Sequence, residues 1–158
     1  MQLKFQVQTK IQKPIAEVFD AVYNPTKLSG YFTTGGASAP LDEGTTVIWH
    51  FADHPGDVPI AVKRVVPNKE IVFQWDAADD VERLPNQLPP SAGYKTTVEI
   101  TFEQLDPTNT LVRITESGWR ETQAGLNSSY GNCGGWTYMS CFLKAFLEYG
   151  INLRKGAF

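Results

Sequence analysis

Residues 133–153, with the sequence CGGWTYMSCFLKAFLEYGINL, constrain the fold of this chain more than any other stretch. Their spacing predicts a long C-terminal helix. One stripe carries Trp136, Met139, Leu143, Phe146 and Leu147, and a flanking stripe carries Tyr138, Cys141, Phe142 and Tyr149. A helix on a protein surface has one apolar stripe and a broad polar face. Here only Lys144 and Glu148 are charged, so something concave must wrap the helix. The rest of the chain, built mostly of alternating segments, has to supply that surface.

Those segments read as strands. Leu3, Phe5, Val7 and Thr9 alternate with Lys4, Gln6, Gln8 and Lys10, the pattern of a half-buried strand. Pro14 then opens a helix at a position that suits proline, with Ile15, Val18, Phe19 and Val22 on one face. Asn24-Pro25 ends it, because a residue before proline is pushed out of the helical region. A second short helix covers Pro25 to Leu28. Further strands are predicted at 45–51, 58–66, 71–75, 94–104 and 110–118, with turns at 53–57, 67–69 and 106–109. Residues 77–93 read as a long loop, which in a compact domain is a candidate lid or partner surface. Residues 119–132 are polar and glycine-containing, with one or two helical turns.

Consecutive strands joined by short turns form an antiparallel sheet, and helices segregated to one side make the fold α+β. The expectation is a curved antiparallel sheet of about six to seven strands gripping the C-terminal helix, with two short helices after the first strand. At 158 residues the chain is expected to be one domain, residues 1–158. A net charge of −3 and scattered Lys and Arg argue against a nucleic-acid partner. No apolar run approaches the roughly 20 residues that span a bilayer, and residues 1–13 read as a strand rather than a signal peptide. No membrane partner and a cytoplasmic location are expected. Cys133 and Cys141, about 12 Å apart along one helix, are too distant for a disulfide and are expected to be buried free thiols.

The order of elements resembles the START-like, helix-grip superfamily known as SRPBCC, and within it the family named for an activator of the heat-shock protein 90 ATPase. The residues that carry the resemblance are Pro14-Ile15-Ala16-Glu17-Val18-Phe19-Asp20-Ala21, Asn24-Pro25-Thr26-Lys27-Leu28, Tyr31-Phe32, Val65-Val66-Pro67 and Phe73-Gln74-Trp75. It continues through the strands at 95–104 and 110–117 to Gly135-Trp136 and Leu143-Lys144-Ala145-Phe146-Leu147-Glu148. A tryptophan that the family pattern carries near Tyr31 is absent. The resemblance implies a helix-grip fold and a cavity between sheet and helix more than any one activity. The superfamily holds lipid and hormone carriers as well as polyketide cyclases. The resemblance implies that chaperone activation belongs to larger relatives with an additional chaperone-binding domain, which is not expected here.

Strand parity and the resemblance together select Trp49, Phe51, Phe73, Trp75, Tyr94, Phe102, Trp119, Trp136 and Met139 as candidate lining of a site for a small hydrophobic molecule. Glu116 is the leading polar candidate, because it continues the inward alternation of Val112 and Ile114. In an apolar cavity its carboxyl would titrate high and serve as acid, base or ligand anchor, unless Arg113 or Arg120 neutralises it. A cyclase-like enzyme would pair Glu116 with Tyr94, Tyr130 or Tyr138. His50, Asp53, His54 and Asp57 have the donor types of a zinc site, but Pro55-Gly56 places them round a turn where they splay into solvent. No metal site and no cofactor are expected. Cys133 and Cys141 lack a neighbouring histidine and are not expected to act as nucleophiles. Ser128-Ser129 reads as a loop or cap, Gly134-Gly135 as a close approach or kink, and Asp79, Asp80 and Glu82 as an acidic loop. A protein partner, including a stress or co-chaperone-type role, is the third reading, most simply a homodimer through Phe142, Ala145 or Tyr149.

Overall fold

The computed structural model describes residues 1–79 and 91–158. Strand β1 (Lys4–Ile11) is followed by helices α1 (Ile15–Tyr23) and α2 (Pro25–Leu28). Six strands follow: β2 (Gly36–Ala37), β3 (Thr46–Phe51), β4 (His54–Val66), β5 (Glu70–Asp76), β6 (Lys95–Asp106) and β7 (Asn109–Ser117). Helix α3 (Gln123–Tyr149) closes the fold. All strand pairs are antiparallel, in the order β1-β7-β6-β5-β4-β3-β2. This is the expected α+β helix-grip arrangement, with seven strands. Asp80, Glu82 and most of the expected long loop lie outside the described residues.

The core fills the space between the inner face of the sheet, α1, α2 and α3. Alternation in β7 buries Thr110, Val112, Ile114 and Glu116, and in β6 it buries Thr96, Val98, Ile100 and Phe102. From α3 the core takes Trp136, Met139, Phe142 and Leu143, with Phe146 and Leu147 packed against them. Burying each of these large apolar side chains contributes about 1.5–3 kcal/mol, so this half of α3 is held chiefly by apolar burial.

The helix departs from its expected bounds at both ends. It begins at Gln123, ten residues before the predicted start, because Thr122 caps it: the Thr122 hydroxyl accepts the Gly125 N–H at 3.1 Å. It ends at Tyr149, where Gly150 turns left-handed at φ 68°. The apolar arc is narrower than expected. Phe142 is buried, but Tyr138, Cys141 and Tyr149 face solvent. Both cysteines are free as predicted, yet Cys141 is exposed and Cys133 half-buried, so neither fills the core.

The predicted turn at 53–57 is also corrected. β4 begins at His54 and pairs with Phe51, which leaves a two-residue connection at 52–53 and puts Pro55-Gly56 inside the strand. The start of β4 lies toward one end of the sheet, where proline costs little.

Gly125 faces the carbonyl oxygen of Arg120 so closely that a β-carbon would overlap it. Gly125→Ala is expected to cost about 1–3 kcal/mol and lower the melting temperature. Gly131→Ala, where a β-carbon meets open space, should not lower it in the same thermal melt.

Candidate functional site

Parity turns Glu116 inward from β7, directly opposite Phe5 on β1 and Val98 on β6. Its carboxylate is fully buried. Four side chains converge on it. Trp75 from β5 donates its indole N–H to Oε1 at 2.8 Å, and the Thr96 hydroxyl from β6 donates to the same oxygen at 2.7 Å. From α3, Trp136 donates to Oε2 at 2.8 Å, and the Asn132 amide reaches both oxygens, at 3.1 and 3.2 Å. One carboxylate therefore ties three strands to the helix.

Among the described residues, no cation lies among its hydrogen-bond partners. Arg113 pairs with Glu103 across the sheet, and the Arg120 guanidinium sits over the Tyr94 ring at 4.5 Å. Neither neutralises Glu116. Burial pushes the Glu116 carboxyl above its ordinary value, against the four donors, which favour the anion. The two indoles can only donate, so a protonated acid would have to donate to the Thr96 oxygen or, with the amide turned over, to the Asn132 carbonyl oxygen.

The rings predicted to line a cavity meet beside this carboxylate. Trp75 and Trp136 lie with centroids 5.4 Å apart, Phe73 is 5.7 Å from Trp75, and Trp49 is 5.3 Å from Phe73. Phe32 joins them, stacked on Trp136 at 5.6 Å and edge-on to Trp49 and Phe51. The result is a wall of rings packed within the core, with Glu116 as the polar group at its corner. The Trp49 indole N–H is buried in that wall without a partner among the described residues.

Other candidates lie apart from it. Phe102 packs edge-on against Phe19 of α1. Trp119 packs on Phe5 at 5.5 Å. Met139 belongs to the core one turn along α3 from Trp136. The Tyr94 hydroxyl donates to Asp79 and accepts the Arg120 N–H. Tyr130 and Tyr138 are 67% and 52% exposed on α3.

The histidine and aspartate group does not converge. His50 pairs with Asp57, while Asp53 takes two bonds from Arg154, at 2.6 and 2.8 Å. Among the described residues no set of three or more His, Cys, Asp or Glu could hold a metal ion.

Three residues of this region escaped the sequence reading. Thr96 was legible as an inward position of β6 but offered no sign of its partner. Asn132 sits one helical turn before Trp136, a relation hidden while residues 119–132 read as loop. Arg154 is buried although it follows the helix, with its guanidinium 4.6 Å from the Phe51 ring and 5.1 Å from the Phe158 ring.

Among the described residues no helix is long and apolar enough to cross a membrane. No functionally curated protein matches the chain in sequence. Its fold is shared with solved structures. Protein SSP2350 from Staphylococcus saprophyticus is 24% identical, with 96% of each chain covered and a TM-score of 0.76. The Aha1 dimer from Colwellia psychrerythraea is 22% identical over 94% of this chain and 98% of that one, with a TM-score of 0.70. PFC0360w, an HSP90 activator from Plasmodium falciparum, is 17% identical over 91% of this chain and 93% of that one, at 0.66. At these identities the likeness concerns the fold. The family profile is more specific: it matches residues 12–148, most of the chain, and the protein belongs to the Activator of Hsp90 ATPase homolog 1-like family.

Proposed function

We propose that this chain is a cytoplasmic binding module, one START-like helix-grip domain over residues 1–158, that takes a small hydrophobic molecule beside Glu116. The observation that carries the reading is the carboxylate itself. It is fully buried, has no cationic partner among the described residues, and sits against the rings of Trp75 and Trp136. A buried charge is a poor way to stabilise a fold, and a carboxyl pushed up by burial next to apolar walls is a marker of functional sites. The ligand would have to part the packed rings beside Glu116 and would place one hydrogen-bonding group at the carboxylate.

Binding is favoured over cyclase-type turnover. The pairing of Glu116 with a tyrosine expected for such turnover would need that hydroxyl beside the carboxylate. Tyr94 is engaged with Asp79, and Tyr130 and Tyr138 stand exposed. Native mass spectrometry of the purified protein, followed by denaturing extraction, tests the reading. A co-purifying apolar compound near unit stoichiometry is expected, with occupancy reduced at least about tenfold in Glu116→Gln, the loss of a charge-assisted hydrogen bond. Equal occupancy in the variant would remove Glu116 from the site.

A second reading, self-association, is favoured by one surface. Tyr130 and Tyr138 flank a shallow, largely apolar groove along α3 lined by Cys133, Gly134, Thr137 and Cys141. Residues 123–141 carry no charge. The Phe142 ring expected to mediate a homodimer is buried, so the contact would run through these outer residues. Light scattering distinguishes a dimer from a monomer.

A further inference from the structure

Helix α3 is continuous in its backbone but divided in what holds it. C-terminal to residue 135 its inner face is Trp136, Met139, Phe142 and Leu143, all in the core. Among the described residues, no apolar side chain of 123–135 belongs to that core; half-buried Leu126 lies instead beside Met1 and Leu3, next to β1. The inner positions there are Gly125, Ser128, Ser129 and Asn132. Polar side chains fasten this half to the sheet side: Ser128 donates to the Ala78 carbonyl, and Asn132 donates to Glu116.

The junction between the halves is Gly134-Gly135, with Gly131 one turn before. A β-carbon at any of the three would meet nothing within 4 Å. Packing within the molecule therefore does not require glycine there. Each glycine nevertheless weakens a helix roughly fivefold relative to alanine. Low propensity and polar fastening coincide in one segment that, among the described residues, adds nothing to the main core, and its Asn132 reaches the buried carboxylate.

We propose that residues 123–134 form a gate over Glu116, opening about Gly134-Gly135 while the apolar half of α3 stays in place. Glu116 is the latch: when Asn132 lets go, the carboxylate and the edge of Trp75 are uncovered, and Trp136 remains on the fixed half. What the gate admits rests on the binding reading above; that it opens does not, and the experiment keeps the two apart.

Hydrogen–deuterium exchange of the ligand-free protein, resolved to single amides, reads the gate directly. Residues 127–134 should exchange with one common opening equilibrium, at least about tenfold less protected than residues 139–147, as a cooperative local unit does. Asn132→Ala should raise opening of 127–134 about tenfold or more, the loss of a charge-assisted hydrogen bond, without altering 139–147. Gly131→Ala, Gly134→Ala and Gly135→Ala combined should lower it by up to about a hundredfold. Equal protection of both halves would overturn the proposal. So would a smooth gradient from Gln123 inward, which is end fraying, or an Asn132→Ala effect spread over all of α3. Extraction of no ligand would count against the binding reading and leave these exchange results as they stand.

Discussion

Replacing Glu116 with alanine is expected to lower the free energy of unfolding by about 3–5 kcal/mol. The loss arises from the donors left behind. Thr96 and Asn132 can rotate toward other acceptors, but the Trp75 and Trp136 indoles are fixed by ring packing and each buried N–H without a partner costs about 1–3 kcal/mol. Glu116→Gln keeps the shape and one acceptor oxygen but turns an NH2 group toward donors, and a smaller loss of about 1–3 kcal/mol is expected. Urea denaturation of both variants measures the difference. A wild-type value for Glu116→Ala would mean that the carboxylate is not holding helix to sheet.

The same pair of variants separates charge from shape. The Glu116 carboxyl titrates above its ordinary value of 4.5 because burial disfavours the anion. The folded protein therefore binds more protons than the unfolded chain between the two values. Stability from this group is fully present below the unfolded value and is lost as pH rises through the folded one. In Glu116→Gln that downward slope with rising pH should be absent. A slope unchanged by the substitution would assign it to another group.

Arg154→Ala is expected to cost about 2–4 kcal/mol, somewhat less than the breaking of a fully buried pair, because the two side chains retain 8% and 15% of their exposure. The substitution strands Asp53, which accepts both guanidinium bonds, and it removes the cation packed against Phe32, Phe51 and Phe158. Arg154→Lys should recover only part of the loss, since an ammonium cannot make the two-pronged contact. Burial pushes the Asp53 carboxyl up, but the bonds and charge of Arg154 overcome it and hold the group below its ordinary value of 3.8. Its contribution is thus present above the unfolded value and lost as pH falls through the folded one. Acid titration of stability should show that loss in the wild type and not in Arg154→Ala.

Much of this was legible in residue order. Alternation along β7 turned Glu116 inward, and alternation along β3, β5 and β6 collected Trp49, Phe73, Trp75 and Thr96 on the same face, because a strand's side-chain period is two and the hydrophobic pattern fixes its register. The donor from Asn132 was hidden by glycine. Residues 119–132 have the composition of a loop, yet 123–132 are helical, through tertiary fastening rather than propensity. The pairing of Asp53 with Arg154 spans 101 positions and leaves no periodic trace in either segment. Nor could parity tell a packed ring from a ligand-facing one, since both face inward. It gathered Phe102 with the site although that ring packs on α1.

The strand order also governs when this protein can fold. β1 is the first strand made, yet its pairing partner is β7, with Lys4 opposite Ser117 and Ile11 opposite Thr110. During synthesis the amino-terminal strand and α1 must wait for some hundred further residues before the sheet can close on them. The hairpins from β3 to β7 can form as they emerge, but β1 stays an unpaired edge until the last strand is complete, and α3 follows later still. Non-local closure of this kind slows folding and leaves an exposed strand on the nascent chain.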